Sequence, residues 1–463
     1  MKNKVPDAQT DVVIVWGWIV GSTLHHMLWY VQWDISSILI ERQKQVGELN
    51  SEYTQNSQTL HEGDIESNYK DIQKIRTVHA AAWMFKSFLL DQWHDTSHLY
   101  TKVGKMLLGV NKKEVVIVSQ RYNWLTENEK IFPNNKLLDR DQLSQLEPAL
   151  VDGRDAKTPV VAYYNPDGYA VDFGAACQTL VDVTTQTRGD LGQVILGNGV
   201  KEIIRADNSW QLFDVELEDG KIIRTKAVVV SAGGFTPVLM KQMWYRENIG
   251  ILSIAGNYYR IKPSAKHKIT NKVYTVQVDG LPFAALHADP EVSDPEVVRL
   301  WPTAFGIPFL EKKKRTSFFD YMGIINARHD LGSFINIMSN EIVRKYVFKN
   351  YKFFIPIYGK WLFLKEARKI IPTLNYSDIE LFNGYGGTRP QMIDRTTHAL
   401  NFGEAKIFGK NENLIFNITP SPGASTAFGN AYNDVQSVLQ MPGFKHYKFD
   451  KSEYEKNFWK VIY

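Results

Sequence analysis

The N-terminal residues alternate between short apolar runs and turns, a pattern that predicts a strand–turn–helix–strand unit. Asp11–Val15 (DVVIV) has the length of a buried strand, and Ser22–Val31 has the length of a helix with its apolar residues on one side. A second apolar run, Ser37–Ile40 (SILI), predicts the next strand. This order of elements is typical of a parallel α/β sheet.

The turn inside this unit has unusual residues for its position. Trp16–Gly21 (WGWIVG) occupies the place of a G-x-G-x-x-G turn, with tryptophan at the first two required glycines. Glycines there permit the tight turn, the approach of a pyrophosphate and close helix–strand packing. Glu41 follows Gly21 at the spacing of an acidic residue that binds an adenosine ribose. We expect Gly17, Gly21 and Glu41 to bind a dinucleotide; taken alone, the turn also fits a buried apolar strand.

A β-rich stretch in the middle of the chain leads into a second turn of small residues. Trp210–Leu217 and Lys221–Arg224 flank a hairpin turn at Glu218–Gly220. The strand Ala227–Val230 then enters Ser231–Gly234 (SAGG).

Composition limits the kinds of protein that fit this pattern. The 463 residues are enough for two or three units, and 44% hydrophobic with 22% charged residues is typical of a folded protein. The 54 basic and 50 acidic residues are too balanced to indicate nucleic-acid binding. Cys177 is the single cysteine, which excludes an internal disulfide or a Cys-based metal site and favours a cytoplasmic location. His25 and His26 interrupt the apolar N-terminal segment, so we expect no transmembrane helix there.

Two histidines are candidates for proton transfer. His61 lies in a polar, glycine-containing segment, Asn56–Gly63, where a histidine satisfied by local backbone is an equal alternative. His287 precedes Asp289 by two residues, and on a strand these positions share one face. A carboxylate there could orient the imidazole and stabilise its protonated form. An exposed His–Asp pair without catalytic function has the same spacing.

Two glycine-containing segments are candidates for anion binding. Gly386–Gln391 (GGTRPQ) contains Arg389, whose guanidinium could hold a carboxylate in a bidentate fork; a surface ion pair with Asp394 is the alternative. Thr419–Ala427 (TPSPGASTA) precedes a predicted helix, whose N-terminal N–H groups could face a phosphate.

Together these segments resemble the malate:quinone oxidoreductase family. That family has an Asn…Thr-x-His-x-Gly-x-x-Glu-x-Asn-Tyr pattern, and the matching positions are Asn56, Thr59, His61, Gly63, Glu66, Asn68 and Tyr69. The His-x-Asp element and the Ser-Pro-Gly-Ala-Ser-Thr-Ala signature also match, and the resemblance extends over nearly the whole chain.

The resemblance implies an α/β fold with a Rossmann-type FAD-binding domain, discontinuous in sequence, and an inserted α+β substrate-binding domain. We assign residues 8–90, 155–235 and 382–445 to the first domain, and residues 91–154 and 236–381 to the second. The implied cofactor is FAD. Its expected contacts are Gly17, Gly21, Glu41, Ser57, Thr59, Ala232, Gly233, Gly423, Ala424, Ser425 and Thr426.

The implied activity is the oxidation of (S)-malate to oxaloacetate, with electrons passed through FAD to a membrane quinone. His287, supported by Asp289, would remove the hydroxyl proton, Arg389 would hold a carboxylate, and His61 would complete the site. A related FAD-dependent 2-hydroxyacid oxidoreductase, acting on a longer substrate such as 2-hydroxyglutarate, is one alternative. A degenerate family member that binds no flavin is another.

A basic and aromatic stretch, Arg344–Lys369, could lie on an anionic membrane surface. Pro356 and Gly359 divide it, and an aromatic core with solvated lysines is the alternative. A quinone acceptor implies a peripheral position at the inner face of the cell membrane.

Tryptophan occupies three positions where related sequences have glycine. These are Trp16, Trp18 and Trp301, the last of which precedes Pro302. Our hypothesis is one common cause, a codon that means glycine in the source organism, such as UGA, translated as tryptophan.

Overall fold

A computed structural model describes most of the chain. The described residues are 5–32, 34–67, 69–90, 94–206, 211–245, 248–265, 267–277, 285–382, 384–401, 403–420 and 422–458. Asn68 and Ser421, which belong to the family-like motifs, and Trp210 of the predicted hairpin lie outside these residues.

The described residues form strands and helices that follow one another in mixed order. The strands are β1 (Ala8–Val15), β2 (Ser37–Ile40), β3 (Tyr100–Lys102), β4 (Lys105–Val110), β5 (Lys136–Leu138), β6 (Val160–Asn165), β7 (Tyr169–Val171), β8 (Gly192–Ile195), β9 (Val200–Arg205), β10 (Phe213–Leu217), β11 (Ile222–Val230), β12 (Ile249–Ile261), β13 (Lys272–Thr275), β14 (His287–Pro290), β15 (Val298–Gly306), β16 (Ile379–Phe382), β17 (Thr388–Asp394), β18 (Ala399–Asn401), β19 (Ala405–Phe408) and β20 (Leu414–Ile418). The α-helices are α1 (Ile19–Met27), α2 (Ile72–Leu89), α3 (Lys112–Asn128), α4 (Arg140–Leu146), α5 (Phe173–Arg188), α6 (Thr236–Gln242), α7 (Ser317–Ile324), α8 (Ala327–Ser339), α9 (Glu341–Lys352), α10 (Tyr358–Ala367), α11 (Ala427–Gln440) and α12 (Lys451–Phe458).

The first sheet is built around the predicted N-terminal unit. Its order is β19-β20-β11-β1-β2-β8, and β1 pairs in parallel with both β2 and β11. Parallel strands are buried on both faces, which explains the continuous apolar runs 12–15 in β1 and 38–40 in β2. Helices α1, α5 and α11 pack together on one face. The predicted β10–β11 hairpin forms, and β11 returns beside β1 as expected.

The second sheet is mostly antiparallel and joins distant parts of the chain. Its order is β18-β17-β12-β15-β14-β13-β4-β6-β5, with β16 beside β12. Two predicted domain boundaries do not follow the sheets. β6 lies after the boundary at 155, and β17 and β18 lie after the boundary at 382. All three belong to this second sheet, because β6 pairs with β4, β17 pairs with β12 and β18 pairs with β17. Such long-range antiparallel pairing leaves no trace in the local apolar pattern.

A buried arginine connects the second sheet to the segment that follows β2. Arg299 of β15 donates hydrogen bonds to the carbonyl oxygens of Tyr53 (2.8 Å) and Asn56 (3.1 Å) and to Oε1 of Gln58 (2.6 Å). These bonds fix the polar segment that contains Ser57, Thr59 and His61 between the two sheets. Among the described residues, no helix combines the length and apolar character needed to cross a membrane.

Candidate active site

The β1–α1 turn has the backbone arrangement of a dinucleotide-binding turn. The Gly17 N–H donates to Oε2 of Glu41 (2.8 Å), and the Gln43 N–H donates to Oε1 (2.7 Å). Burial raises the pKa of Glu41 to about 7, although these two hydrogen bonds partly oppose it. A Cβ on Gly21 would lie 1.9 Å from the carbonyl oxygen of Trp16, so only glycine fits there. Helix α1 can therefore begin close against β1.

The other predicted cofactor residues form the facing wall of this turn. The Ser231 N–H after β11 donates to the carbonyl oxygen of Val15 (3.0 Å), which places Ala232 and Gly233 beside the end of β1. Gly233 has φ +55°, a conformation that favours glycine. The segment Gly423–Ser425 faces Gly233 across a small cavity and leads into α11, which starts at Ala427 as predicted.

The space between these two facing turns, which we call the cradle, contains two side chains that do not fit FAD. Trp16 has φ +89°, and ring carbon Cζ3 of Trp18 lies 2.4 Å from where a Cβ on Gly233 would stand. Both indole N–H groups are buried and have no partner among the described residues. The cavity between the facing turns has a volume of about 160 Å³, below the roughly 300–1,000 Å³ typical of small-ligand pockets. As it stands, this turn leaves no room for a dinucleotide pyrophosphate.

His287 and Asp289 form the predicted pair on β14. Nδ1 of His287 bonds to Oδ2 of Asp289, and Nζ of Lys272 on the neighbouring β13 lies 3.3 Å from Oδ1. Burial opposes ionisation of Asp289, but the charges of His287 and Lys272 outweigh it and lower the pKa of the carboxyl group. Burial also lowers the pKa of His287, and Asp289 offsets this only in part. His287 is therefore neutral at pH 7, with Nε2 as the proton acceptor.

Tyr274 positions the imidazole from one side. Its ring stacks on His287 with centroids 4.5 Å apart, and its hydroxyl bonds to Oγ1 of Thr59 (2.6 Å). Nζ of Lys272 donates to the carbonyl oxygen of Ser57 (2.7 Å). Thr59 and Ser57 were predicted as cofactor contacts. Their hydrogen bonds also connect the segment after β2 to β13, the strand beside His287. The functional importance of Lys272 and Tyr274 was not predicted from the sequence, because it depends on the pairing of β13 with β14, where Tyr274 lies opposite His287.

His61 lies at the same site and is held by a carboxylate. Its Nδ1 bonds to Oε1 of Glu66 (2.5 Å), and its backbone N–H donates to Oγ of Ser425 (2.8 Å). The side chain is therefore oriented by a neighbouring acid rather than by local backbone alone. Thr426 lies next to Ser425 and donates to Glu404 (2.8 Å), so its hydroxyl is already occupied.

Arg389 on β17 lines the same cavity as His287. Its half-buried guanidinium lies over the ring of Trp301, 5.7 Å from the centroid, and His287 lies 6.4 Å from the same ring. Within the described part of the chain, no carboxylate forms an ion pair with Arg389, and Asp394 instead accepts hydrogen bonds from backbone N–H groups. Burial lowers the pKa of Arg389, so an anion that paired with it would relieve the cost of the buried charge.

Two cavities meet at these residues. A large cavity of about 1,250 Å³ is lined by His287, Tyr274 and Thr426, and the small one by Thr59, Gly233 and Gly423–Ser425. Both cavities are lined by the residues Ser57, His61, Trp301, Arg389, Pro420 and Pro422. Gly17, Gly21, Glu41, Ala232 and Asp289 line neither cavity; they lie behind the walls.

Solved flavoenzyme structures share this fold. L-α-glycerophosphate oxidase from Mycoplasma pneumoniae with FAD bound aligns with a TM-score of 0.65 and 15% identity, over 93% of this chain and 94% of that chain. Glycine oxidase from Geobacillus kaustophilus aligns with a TM-score of 0.63 and 13% identity, over 94% and 95%. The chain has the fold of these oxidases.

A closer relationship is evident in the sequence. A family model for malate:quinone oxidoreductase matches residues 8–445. A probable malate:quinone oxidoreductase from Campylobacter jejuni is 33% identical over 447 residues, which cover 94% of this chain and 96% of the relative. One from Helicobacter pylori (strain P12) is 32% identical over 446 residues, covering 94% and 95%. The chain belongs to the malate:quinone oxidoreductase family.

Proposed function

We propose that this protein oxidises (S)-malate to oxaloacetate and passes the electrons through FAD to a membrane quinone. The observation that carries the proposal is the guanidinium of Arg389, which forms no ion pair with a carboxylate of the described residues and lines one cavity together with His287. Malate offers two carboxylates and, at C2, a hydroxyl and a hydrogen, which are the groups that such a pair could hold and deprotonate.

Arg389 is suited to orient the substrate. A guanidinium can bind a carboxylate through two parallel hydrogen bonds, which fix both distance and direction. His61, held by Glu66, offers a second polar contact on the same wall. Two such contacts would hold a four-carbon dicarboxylate with its C2 hydroxyl toward His287.

His287 is suited to take the hydroxyl proton. Its Nδ1 is engaged by Asp289, so Nε2 accepts the proton, and the ionised Asp289 stabilises the imidazolium that forms. As the proton leaves the oxygen, the carbonyl of oxaloacetate forms and the C2 hydrogen leaves with its electron pair. FAD, when bound, supplies the acceptor for that pair; the filled cradle described above is the obstacle to its binding.

The large cavity leaves two alternatives that assays can separate. Its volume would also admit a longer hydroxy acid such as 2-hydroxyglutarate, because one added methylene changes pocket length and not chemistry. The filled cradle, in turn, favours a family member that binds no flavin.

The test is quinone reduction by flavin-loaded protein. With malate as the substrate, we expect reduction of a soluble quinone and little reduction of NAD. With 2-hydroxyglutarate as the substrate, we expect little reduction of the quinone. Arg389→Lys should raise KM for malate by about tenfold or more, because the bidentate fork is lost. Arg395→Lys is the matched control, since Arg395 pairs with Asp330 away from the cavity. Absence of malate-dependent quinone reduction would reject the proposal.

We also propose a peripheral contact with the inner face of the cell membrane. The surface of α7–α10, which we term the basic–apolar surface, exposes Phe319, Phe334, Ile335, Phe348, Ile357 and Trp361 beside Lys345, Lys349, Lys352, Lys360 and Lys365. The stretch breaks between α9 and α10, as its proline and glycine predicted. Exposed apolar side chains flanked by lysines suit an anionic lipid surface.

A further inference from the structure

Four tryptophans occupy positions where the backbone or its surroundings call for glycine. We propose that the native protein has glycine at positions 16, 18, 244 and 301, and that one codon with the meaning glycine accounts for all four. At positions 16, 18 and 301 the inference concerns the proposed FAD and malate sites, so it rests in part on the proposed function. Position 244 is independent of it.

Trp16 has a backbone conformation that side chains disfavour. Its φ of +89° is in the left-handed region, where a bulky residue is an outlier. Its carbonyl oxygen makes the close approach that Gly21 permits, so the turn cannot relax without separating α1 from β1. The indole packs against Phe235 (centroids 5.1 Å apart) and under Arg42, and its buried N–H has no partner in the described part of the chain. Glycine would keep this turn and remove each of these costs.

Trp18 blocks the start of α1. It stands at the N-cap with no side-chain capping bond, where a pyrophosphate would need bare backbone. A Cβ on Gly233 would lie 2.4 Å from Cζ3 of its ring, and the φ of +55° at Gly233 keeps the facing turn tight. The two turns therefore have the shape of a phosphate cradle, and one side chain fills it. Glycine at this position would open the space between them.

Trp244 shows the same preference far from the cavities. It follows α6 with φ +66°; its N–H donates to the carbonyl oxygen of Lys241 (3.1 Å), and the Tyr245 N–H donates to that of Met240 (2.9 Å). These two bonds form a Schellman motif, in which the left-handed residue is usually glycine. The Trp244 side chain is 73% exposed, so burial does not compensate for the conformation. Loss of flavin binding cannot explain a tryptophan here.

Trp301 fills the junction of the two cavities. Its ring carbon Cη2 lies 2.0 Å from where a Cβ on Gly256 would stand, and its ring packs 4.1 Å from that of Tyr258. The guanidinium of Arg389 lies 5.7 Å from the centroid of this ring, and the imidazole of His287 lies 6.4 Å from it. With glycine at 301, the space that the indole now fills beside both groups would be open, which is where the proposed substrate must lie.

The tryptophans within helices behave differently. Trp83, Trp124 and Trp361 lie in α2, α3 and α10 and are absent from the residues with positive φ. Positive φ is therefore not a property of every tryptophan in this chain; among these residues it is confined to Trp16 and Trp244. Four separate glycine-to-tryptophan substitutions, each at a position where bulk is costly, would have to be tolerated together, whereas one reassigned codon requires a single event.

The decisive experiment is peptide mass spectrometry of the protein isolated from its source organism. We expect peptides with glycine at 16, 18, 244 and 301. Peptides with tryptophan at any of the four would overturn the single-codon proposal. This readout requires no activity, so it can succeed even if the malate assignment fails.

Recombinant variants give a second readout. Trp244→Gly should raise the midpoint of thermal unfolding by about 1–3 °C, since the left-handed conformation is relieved. Trp124→Gly, in the middle of α3, is the matched control and should lower it. The variant with all four glycines should bind FAD at least about 100-fold more tightly than the chain with tryptophan, measured by flavin fluorescence. An unchanged FAD affinity together with a lowered midpoint for Trp244→Gly would overturn the proposal.

Discussion

The His287–Asp289 pair gives the most direct test of the proposed chemistry. Asp289→Asn should lower kcat by about 10²–10⁴-fold, because the amide neither orients the imidazole as an ionised acceptor does nor stabilises the imidazolium. Neutral His287 is the active form, so kcat/KM should rise with pH through a pKa below the usual 6.5 of histidine. Without Asp289 that pKa falls further, and the acid limb of the profile should move to lower pH.

Asp378→Asn is the control for this substitution. Asp378 pairs with His267 (3.1 Å) outside both cavities, and its loss should leave kcat and the pH profile nearly unchanged. Equal effects of the two substitutions would assign the Asp289 pair to structure alone.

Glu41, which accepts a hydrogen bond from the β1–α1 turn, should make the stability of the fold depend on pH. Burial raises its pKa to about 7, so between pH 4.5 and 7 the folded state binds more protons than the unfolded state. Its contribution to stability is complete below pH 4.5 and is lost as pH rises through 7. Glu41→Gln should remove that loss, up to roughly 3 kcal/mol, in urea unfolding followed from pH 4.5 to 8. Glu202→Gln, at an exposed position, should leave the pH dependence intact.

Strand β4 supports the segment that contains His61 through a buried charge. Nζ of Lys105 lies 2.5 Å from Glu62 and 3.3 Å from Asp64, and all three side chains are fully or almost fully buried. Lys105→Met would leave the two carboxylates short of positive charge and should cost about 3–5 kcal/mol in urea unfolding. Lys102→Met, which removes an exposed pair with Asp167 (3.5 Å), should cost about 0–1 kcal/mol. Similar losses for the two variants would contradict this account.

The sequence predicts single strands and helices better than it predicts which strands pair with one another. The runs of β1, α1 and β2, the β10–β11 hairpin and the start of α11 follow from periodicity, turn residues and small-residue signals. The pairing of β6 and β17 with the second sheet depends on strands far away in sequence, so the domain limits could not be read from it. The contact of Lys105 with Glu62 was missed for the same reason, whereas the pair of His287 with Asp289 is local and was found.

The whole molecule presents one surface suited to lipid. We expect it to sediment with vesicles that contain anionic lipid and not with pure phosphatidylcholine vesicles, and binding should weaken at high salt. Replacing Phe348 and Ile357 of the basic–apolar surface by serine should reduce partitioning by about tenfold. Replacing Leu196 and Phe408, which are exposed elsewhere, is the control. Equal partitioning of both double variants would contradict a contact through α7–α10.

The meeting of the two cavities at Arg389 also affects how they communicate during a turnover. A carboxylate bound to that guanidinium would lie against Ser57, His61 and position 301, which line both cavities. A substrate bound there would stand at the boundary between the cavity that contains His287 and the cavity that contains Gly233. The bound substrate would then limit exchange of solvent between the two cavities, and departure of the product would restore it.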